Sequence, residues 1–195
     1  SQLLEAYRGP RMHHAWLITG PRGIGKRRFA DWAALKLLAA DGGPDDVPPA
    51  NPAAALVAAG SHPDHRILTP PEEGRGSASG SIIVDQVREL ADFLHSYPAI
   101  APWRTLIVDS IDDMNLNTAN AFLKELEEPR PQTIYLLVSH APARLLPTIR
   151  SRCRQLRLFP LPPGESTQVL EAENPGLAPG ALASLVALSD GAPGT

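Results

Sequence analysis

The stretch "HAWLITGPRGIGKRR", residues 14–28, decides the fold. It opens as an apolar run that ends in glycine, which predicts a buried strand over 14–20. Gly20, Gly23, Gly25 and Lys26 follow, with the G-x-x-x-x-G-K spacing of a phosphate-binding loop. Residues 27–40 then place Phe29, Ala33 and Leu37 at helical spacing, with Trp32 beside them and no proline. Strand, glycine loop and helix in that order suit phosphate chemistry. Glycines let backbone N–H groups close around phosphate oxygens, the helix N-terminus adds positive potential, and the lysine reaches the outer phosphates. The bland alternative is a glycine-rich turn with an incidental lysine.

A phosphate loop is not yet an engine. The residue after the lysine normally offers a hydroxyl to Mg²⁺, and here it is Arg27. A guanidinium cannot ligate a metal and repels one at close range by about several kcal/mol where screening is poor. Contact between Arg27 and a phosphate stays open, so metal-free binding of ATP, ADP or phosphate is an option. The second half of such a site is an acidic pair at the end of a buried strand. "LIVDSIDD", residues 106–113, supplies Asp109 for the metal-binding role, but Ser110 stands where the water-polarising carboxylate belongs. Serine is a poor general base without an activating group. Asp112 and Asp113 lie beyond the strand end, expected in a helix cap. Two independent defects point away from hydrolysis.

Working outward, residues 104–110, 132–139 and 154–159 read as further strands, and "HRIL", residues 65–68, as a short one. Residues 82–98 put Val84, Val87, Leu90, Ala91 and Leu94 on one stripe, which predicts a single amphipathic helix. Residues 115–128 predict a helix stopped by Pro129. Residues 41–54 are rich in breakers and read as a loop, and residues 69–81 as a flexible, low-complexity segment. Strands alternating with helices imply an α/β fold with a parallel sheet covered on both faces. The expected division is a nucleotide-binding-like domain over 1–160 and, over 161–195, the start of a small helical lid domain.

Composition narrows the function. The 195 residues carry a formal charge of −3, with no overall pull toward nucleic acid or membrane. A single cysteine, Cys153, excludes an internal disulfide framework and a multi-cysteine zinc site; it reads as a small apolar core residue rather than a nucleophile. His62, His65 and His140 have no recognisable metal spacing and read as structural. No apolar run approaches membrane-spanning length, so the default is a soluble cytoplasmic protein.

"HAWLITGPRGIGK", "HPDHRIL", "IIVDQVRELADFL", "NTANAFLKELEEP" and "LLPTIRSRCRQLRL" occur in the order found in the bacterial clamp-loader ATPase-like subunits of the AAA+ class. The chain resembles that family over about residues 3–160, most closely its delta-prime branch in DNA polymerase III, where an eroded nucleotide site is typical. The resemblance implies an AAA+ fold, with a lid domain beginning after it and a collar domain beyond this chain. It implies as partners the catalytic ATPase subunits and delta, with primed DNA and the sliding clamp engaged through the assembly. It also implies that Arg152, in "SRC" at 151–153, reaches across a subunit boundary to the γ-phosphate held by a neighbour. Arg150, Arg154 and Arg157 read as surface residues, and Ser139 as a polar group at a strand end where relatives sense nucleotide. Relatives often carry a cysteine zinc knuckle before the "HPD" segment; residues 41–61 contain no cysteine, so no zinc is expected.

Three functions remain in competition. The first is a non-hydrolysing subunit with Gly20, Gly23, Gly25, Lys26 and Asp109 as a degenerate nucleotide site and Arg152 acting in trans. The second is an active AAA+ ATPase that tolerates Arg27 and Ser110. A stand-alone nucleic-acid-binding module is the third, disfavoured by the acidic balance and the lack of an aromatic-basic pattern.

Overall fold

The apolar runs form strands because, with helices on both faces, alternate side chains of each run enter opposite layers of the core. The computed structural model describes residues 2–9, 12–40, 46–71, 80–173, 175–176 and 191–192. Its strands are β1 (Ala15–Thr19), β2 (His65–Leu68), β3 (Arg104–Asp109), β4 (Thr133–Ser139) and β5 (Arg154–Arg157). All pair in parallel, in the order β2-β3-β4-β1-β5. The registers align Ala15 with Tyr135, Trp16 with Arg154, and Asp109 with Val138.

The helices are α1 (Gln2–Arg8), α2 (Lys26–Leu38), α3 (Pro52–Ala58), α4 (Val84–Glu89), α5 (Ala91–His95), α6 (Leu116–Glu127), α7 (Pro147–Arg152) and α8 (Pro163–Glu173). On one sheet face Leu17, Leu106, Val108, Tyr135 and Leu137 pack with Val87, Leu94, Phe122, Leu126 and Ile149. On the other, Trp16, Ile18, Ile107, Leu136 and Val138 pack with Leu3 and the alanine-rich side of α2. Each fully buried leucine or isoleucine contributes about 1.5–3 kcal/mol, so the two layers dominate the favourable side of folding.

Local departures have local causes. The buried side of α2 is Ala30, Ala33, Ala34, Leu37 and Leu38, with Phe29 and Trp32 only half-buried. Small alanines fill the layer against the sheet, while the two rings pack on each other at the flank, 5.7 Å between centroids. The chain turns helical at Pro52, inside the expected loop 41–54, because Asn51 accepts from the Ala53 N–H at 2.9 Å and proline suits the first helical position. The single helix expected over 82–98 is two, α4 and α5, with a turn at Leu90. Val87 and Leu94 still reach the core, so the apolar stripe carries across the break.

A buried polar strap supports β2 and β3. Asp64 is fully buried, and its carboxylate accepts from the N–H groups of Ala99, Ile100 and Ala101 at 2.6, 2.8 and 2.9 Å. Burial alone would raise its pKa, but these bonds outweigh it and hold the carboxyl below its ordinary value. The Arg104 guanidinium donates to the carbonyls of Ser96 and Tyr97 in the same loop.

Residues 41–45 and 72–79, parts of the two expected loop segments, lie outside the described residues. So does most of the expected lid segment after α8. Among the described residues no helix is long and apolar enough to cross a membrane.

Candidate nucleotide site and the arginine at the opposite edge

The carboxyl ends of β1, β3 and β4 bring the expected loop and acidic residues together, the edge where open parallel sheets hold ligands. Gly20 leaves β1 at φ 150°, and a Cβ there would stand 2.7 Å from the Leu158 carbonyl oxygen. Gly25 enters α2 at φ 84°, in the left-handed region that favours glycine. Lys26, 3% exposed, is folded back: its Nζ donates to the carbonyls of Gly20 at 2.8 Å and Pro21 at 2.5 Å. Burial lowers the Lys26 pKa, against the pull of the Asp112 and Asp109 carboxylates.

Arg27 lies on the acidic half of the site. Its Nε donates to Asp31 at 2.9 Å and its Nη1 to Asp109 Oδ2 at 3.3 Å. Burial works against its charge, yet the bonds to Asp31 and Asp109 prevail and raise its pKa. The carboxylate expected to hold a metal therefore has a built-in cation. With no hydroxyl after Lys26, the donor set does not fit Mg²⁺. Among the described residues no group of three or more histidine, cysteine, aspartate or glutamate side chains could hold a metal ion.

The residues after Asp109 are committed elsewhere. The Ser110 hydroxyl donates to Asp113 Oδ2 at 3.0 Å. Asp112 accepts from the Ser139 hydroxyl at 2.9 Å and from the His140 and Ala141 N–H groups at 2.5 and 3.3 Å. Both aspartates sit in a 3₁₀ turn over Ile111–Asp113, while the cap of α6 is Asn115, which accepts from the Thr118 N–H. Asp113 does cap that turn, its Oδ2 accepting from the Ser110 N–H at 3.3 Å, whereas neither aspartate caps α6. Ser139 is fully buried and spends its hydroxyl on Asp112. A cavity of about 350 Å³ beside this cluster is lined by Arg22, Asp112, Asp113, His140 and Arg144 with apolar neighbours. Burial, then the Lys26 and Arg22 charges, keep the His140 pKa below its ordinary value.

Asp31, Arg22 and His140 were not anticipated. Asp31 was readable, since it stands one helical turn beyond Arg27, and so was Arg22, which lies within the loop between Gly20 and Gly23; His140 meets the site only through the packing of β4.

Arg152 is not part of this cluster. It ends α7, immediately before β5, and so lies at the amino edge of the sheet, whereas the loop leaves the carboxyl edge of the adjacent β1. The intervening strand spans about 15 Å at ~3.3 Å per residue. The Arg152 Nη1 donates to the Thr148 carbonyl at 2.9 Å, and its Nη2 pairs with Glu127 Oε1 at 2.6 Å. Next to it Cys153 is buried, and burial pushes its thiol up to about 12, leaving it protonated and inert. Arg154 and Arg157 lie over the rings of Trp16 and Phe159 at 5.0 and 5.1 Å.

A family model described as DNA polymerase III, delta subunit matches residues 1–162. The chain is 43% identical over 185 residues to DNA polymerase III subunit delta' of Pseudomonas aeruginosa, a match covering 92% of this chain and 53% of that protein. It spans about half the length of the curated delta' relatives it matches. In fold it is similar to a DNA polymerase III gamma subunit-related protein of Thermotoga maritima, with TM-score 0.59 and 24% identity over 87% of this chain and 49% of that one. It is also similar to the RuvB Holliday junction branch migration motor of the same organism, with TM-score 0.57 and 17% identity over 98% and 55% of the two chains. With the family model matched across most of its length and delta' subunits as its relatives, the chain belongs to the DNA polymerase III delta-prime family, on an AAA+ fold.

Proposed function

We propose that this chain is the AAA+ part of a non-hydrolysing clamp-loader subunit, which supplies Arg152 to the ATP site of a neighbouring catalytic subunit. Through that assembly it would take part in loading the sliding clamp on primed DNA, with the residues after 160 beginning its lid domain. One observation carries the reading: Arg27 occupies Asp109 at 3.3 Å, where an active site would need that carboxylate for metal. Removing a metal ligand and adding a positive charge at the same point works twice against Mg²⁺. The sheet geometry supports the second half. Arg152 lies at the edge opposite its own loop, so a phosphate that it touches belongs to another subunit. Arginine suits that task because its planar fork stays charged and can meet two phosphate oxygens. ATP, ADP or inorganic phosphate would bind the degenerate loop weakly and without metal, through Lys26 and the loop N–H groups.

The test is reconstitution of the full-length subunit with the catalytic subunits and measurement of ATP turnover for the parent and Arg152→Ala. The expected result is a drop of about 10³-fold at the site that receives the arginine, with assembly intact by gel filtration. Unchanged turnover would remove Arg152 from the mechanism. Mg²⁺-dependent hydrolysis by the isolated chain, abolished by Lys26→Ala, would instead establish it as an ATPase in its own right.

A further inference from the structure

Arg152 is already held by a carboxylate of its own chain. Nη2 meets Glu127 Oε1 at 2.6 Å while Nη1 donates to the Thr148 carbonyl, one turn back along α7. Glu127 is the last residue of α6, in a last turn that carries Glu125 as well as the basic Lys124. A carboxylate there opposes the negative end of the helix dipole, so the helix gains nothing from it. Its described partner is the Arg152 guanidinium, which compensates for the misplaced charge.

We infer that Glu127 is a counterion latch on Arg152, displaced when a neighbouring subunit presents a nucleotide γ-phosphate. This rests on the reading of Arg152 as an arginine that acts in trans. The side chains are 33% and 46% exposed, so the pair is partly hydrated and readily exchanged. Two of the five guanidinium N–H groups are engaged, and the remainder can contact an incoming anion before Glu127 lets go. A γ-phosphate carries more charge than a carboxylate and can take both ends of the fork. ADP offers no γ-phosphate and leaves the latch closed. Glu127 would then make engagement of the arginine conditional on ATP, with the Thr148 carbonyl keeping the guanidinium in place during the exchange. It is a positioning residue, acting through Arg152.

The latch works against the active arrangement, so its removal should speed the assembled enzyme. In a loader reconstituted from full-length subunits, Glu127→Gln keeps the shape and removes the charge. It should raise kcat/KM for ATP two- to fivefold, the upper figure being about 1 kcal/mol. It should also tighten association of this subunit with ATP-loaded partners and leave association with ADP-loaded ones unchanged. Adding Glu127→Gln to Arg152→Ala should change neither quantity, and raising the salt concentration should shrink the gain from Glu127→Gln. Glu127→Ala, with its melting temperature measured alongside, should show the same gain and guards against an effect peculiar to glutamine. If Arg152→Ala slows turnover but Glu127→Gln leaves it unchanged or slows it further, the latch is wrong and the trans arginine stands. If Arg152→Ala has no effect, the underlying reading fails first. A gain from Glu127→Gln that persists in the Arg152→Ala background also overturns the latch.

Discussion

On the proposed reading, nucleotide chemistry in this chain turns on Arg27. A side chain that stops at a hydroxyl there would leave Asp109 without a hydrogen-bonded cation; the guanidinium instead spans Asp31 and Asp109. Replacing it separates the two defects. In Arg27→Thr the hydroxyl returns and Asp109 is released, so Mg²⁺-dependent ATP binding should appear in the isolated chain, at least tenfold tighter with Mg²⁺ than with EDTA. Hydrolysis should stay absent, because Ser110 is still the residue after Asp109 and its hydroxyl donates to Asp113. Titration calorimetry with and without the metal measures the first, and phosphate release the second. Equal binding in both buffers would mean that Arg27 is not what keeps the metal away. Gly20, Gly23, Gly25, Lys26 and Asp109 can be picked out as candidates from sequence because spacing within a loop and the end of a buried strand are local patterns. Arg27–Asp109 and Glu127–Arg152 join residues far apart in the chain, and no periodicity reports such a meeting.

At the scale of elements, α6 shows how a cap fixes the walls of the site. Asn115 Oδ1 accepts from the Thr118 N–H at 2.9 Å, and the Thr118 hydroxyl, with one proton to share, lies 3.0 Å from the Ile82 carbonyl and 3.1 Å from Asn115 Oδ1. The cap thus ties the start of α6 to the segment before α4. Asn115→Ala should cost about 1 kcal/mol, which for a chain of this size lowers the melting temperature by roughly 2–4 °C. A thermal melt that does not move would show that the Thr118 hydroxyl holds the junction alone. This helix was legible from end to end, since its apolar spacing, Asn115 and Pro129 agree. The start of α3 carried a readable signal too, an Asn-Pro pair at cap and first position, but the breakers around it spoke for a loop. The turn between α4 and α5 left no trace in the pattern, because the same apolar side chains face the core on either side of it.

For the molecule as a whole, the central strands were legible as buried apolar runs, whereas the polar groups beneath the β2 edge were not, and their shifted titrations predict a response to acid. His65 is 9% exposed and shares a 2.8 Å hydrogen bond with the Thr105 hydroxyl. Burial first, then the charges of His62, Arg27 and Arg66, lower its pKa from 6.5 to about 4. A histidine whose folded pKa is depressed stabilises the fold fully above its unfolded pKa and loses that contribution as pH falls through the folded value. The window is therefore pH 6.5 down to 4, and the shift corresponds to about 3 kcal/mol at most. His14, His62 and His140 shift in the same direction, so the parent should lose stability steadily across this range. Asp64 has its pKa lowered and adds its own loss only below the ordinary carboxylate range. The discriminating measurement is the difference between the parent and His65→Asn in urea unfolding at pH 7.5, 6.0 and 4.5. The variant should be less stable at pH 7.5, where it lacks the packed ring and the hydroxyl bond, and should lose less on acidification, because one depressed titration is gone. Parallel losses in the two proteins would place the acid response in the other histidines and remove His65 from it.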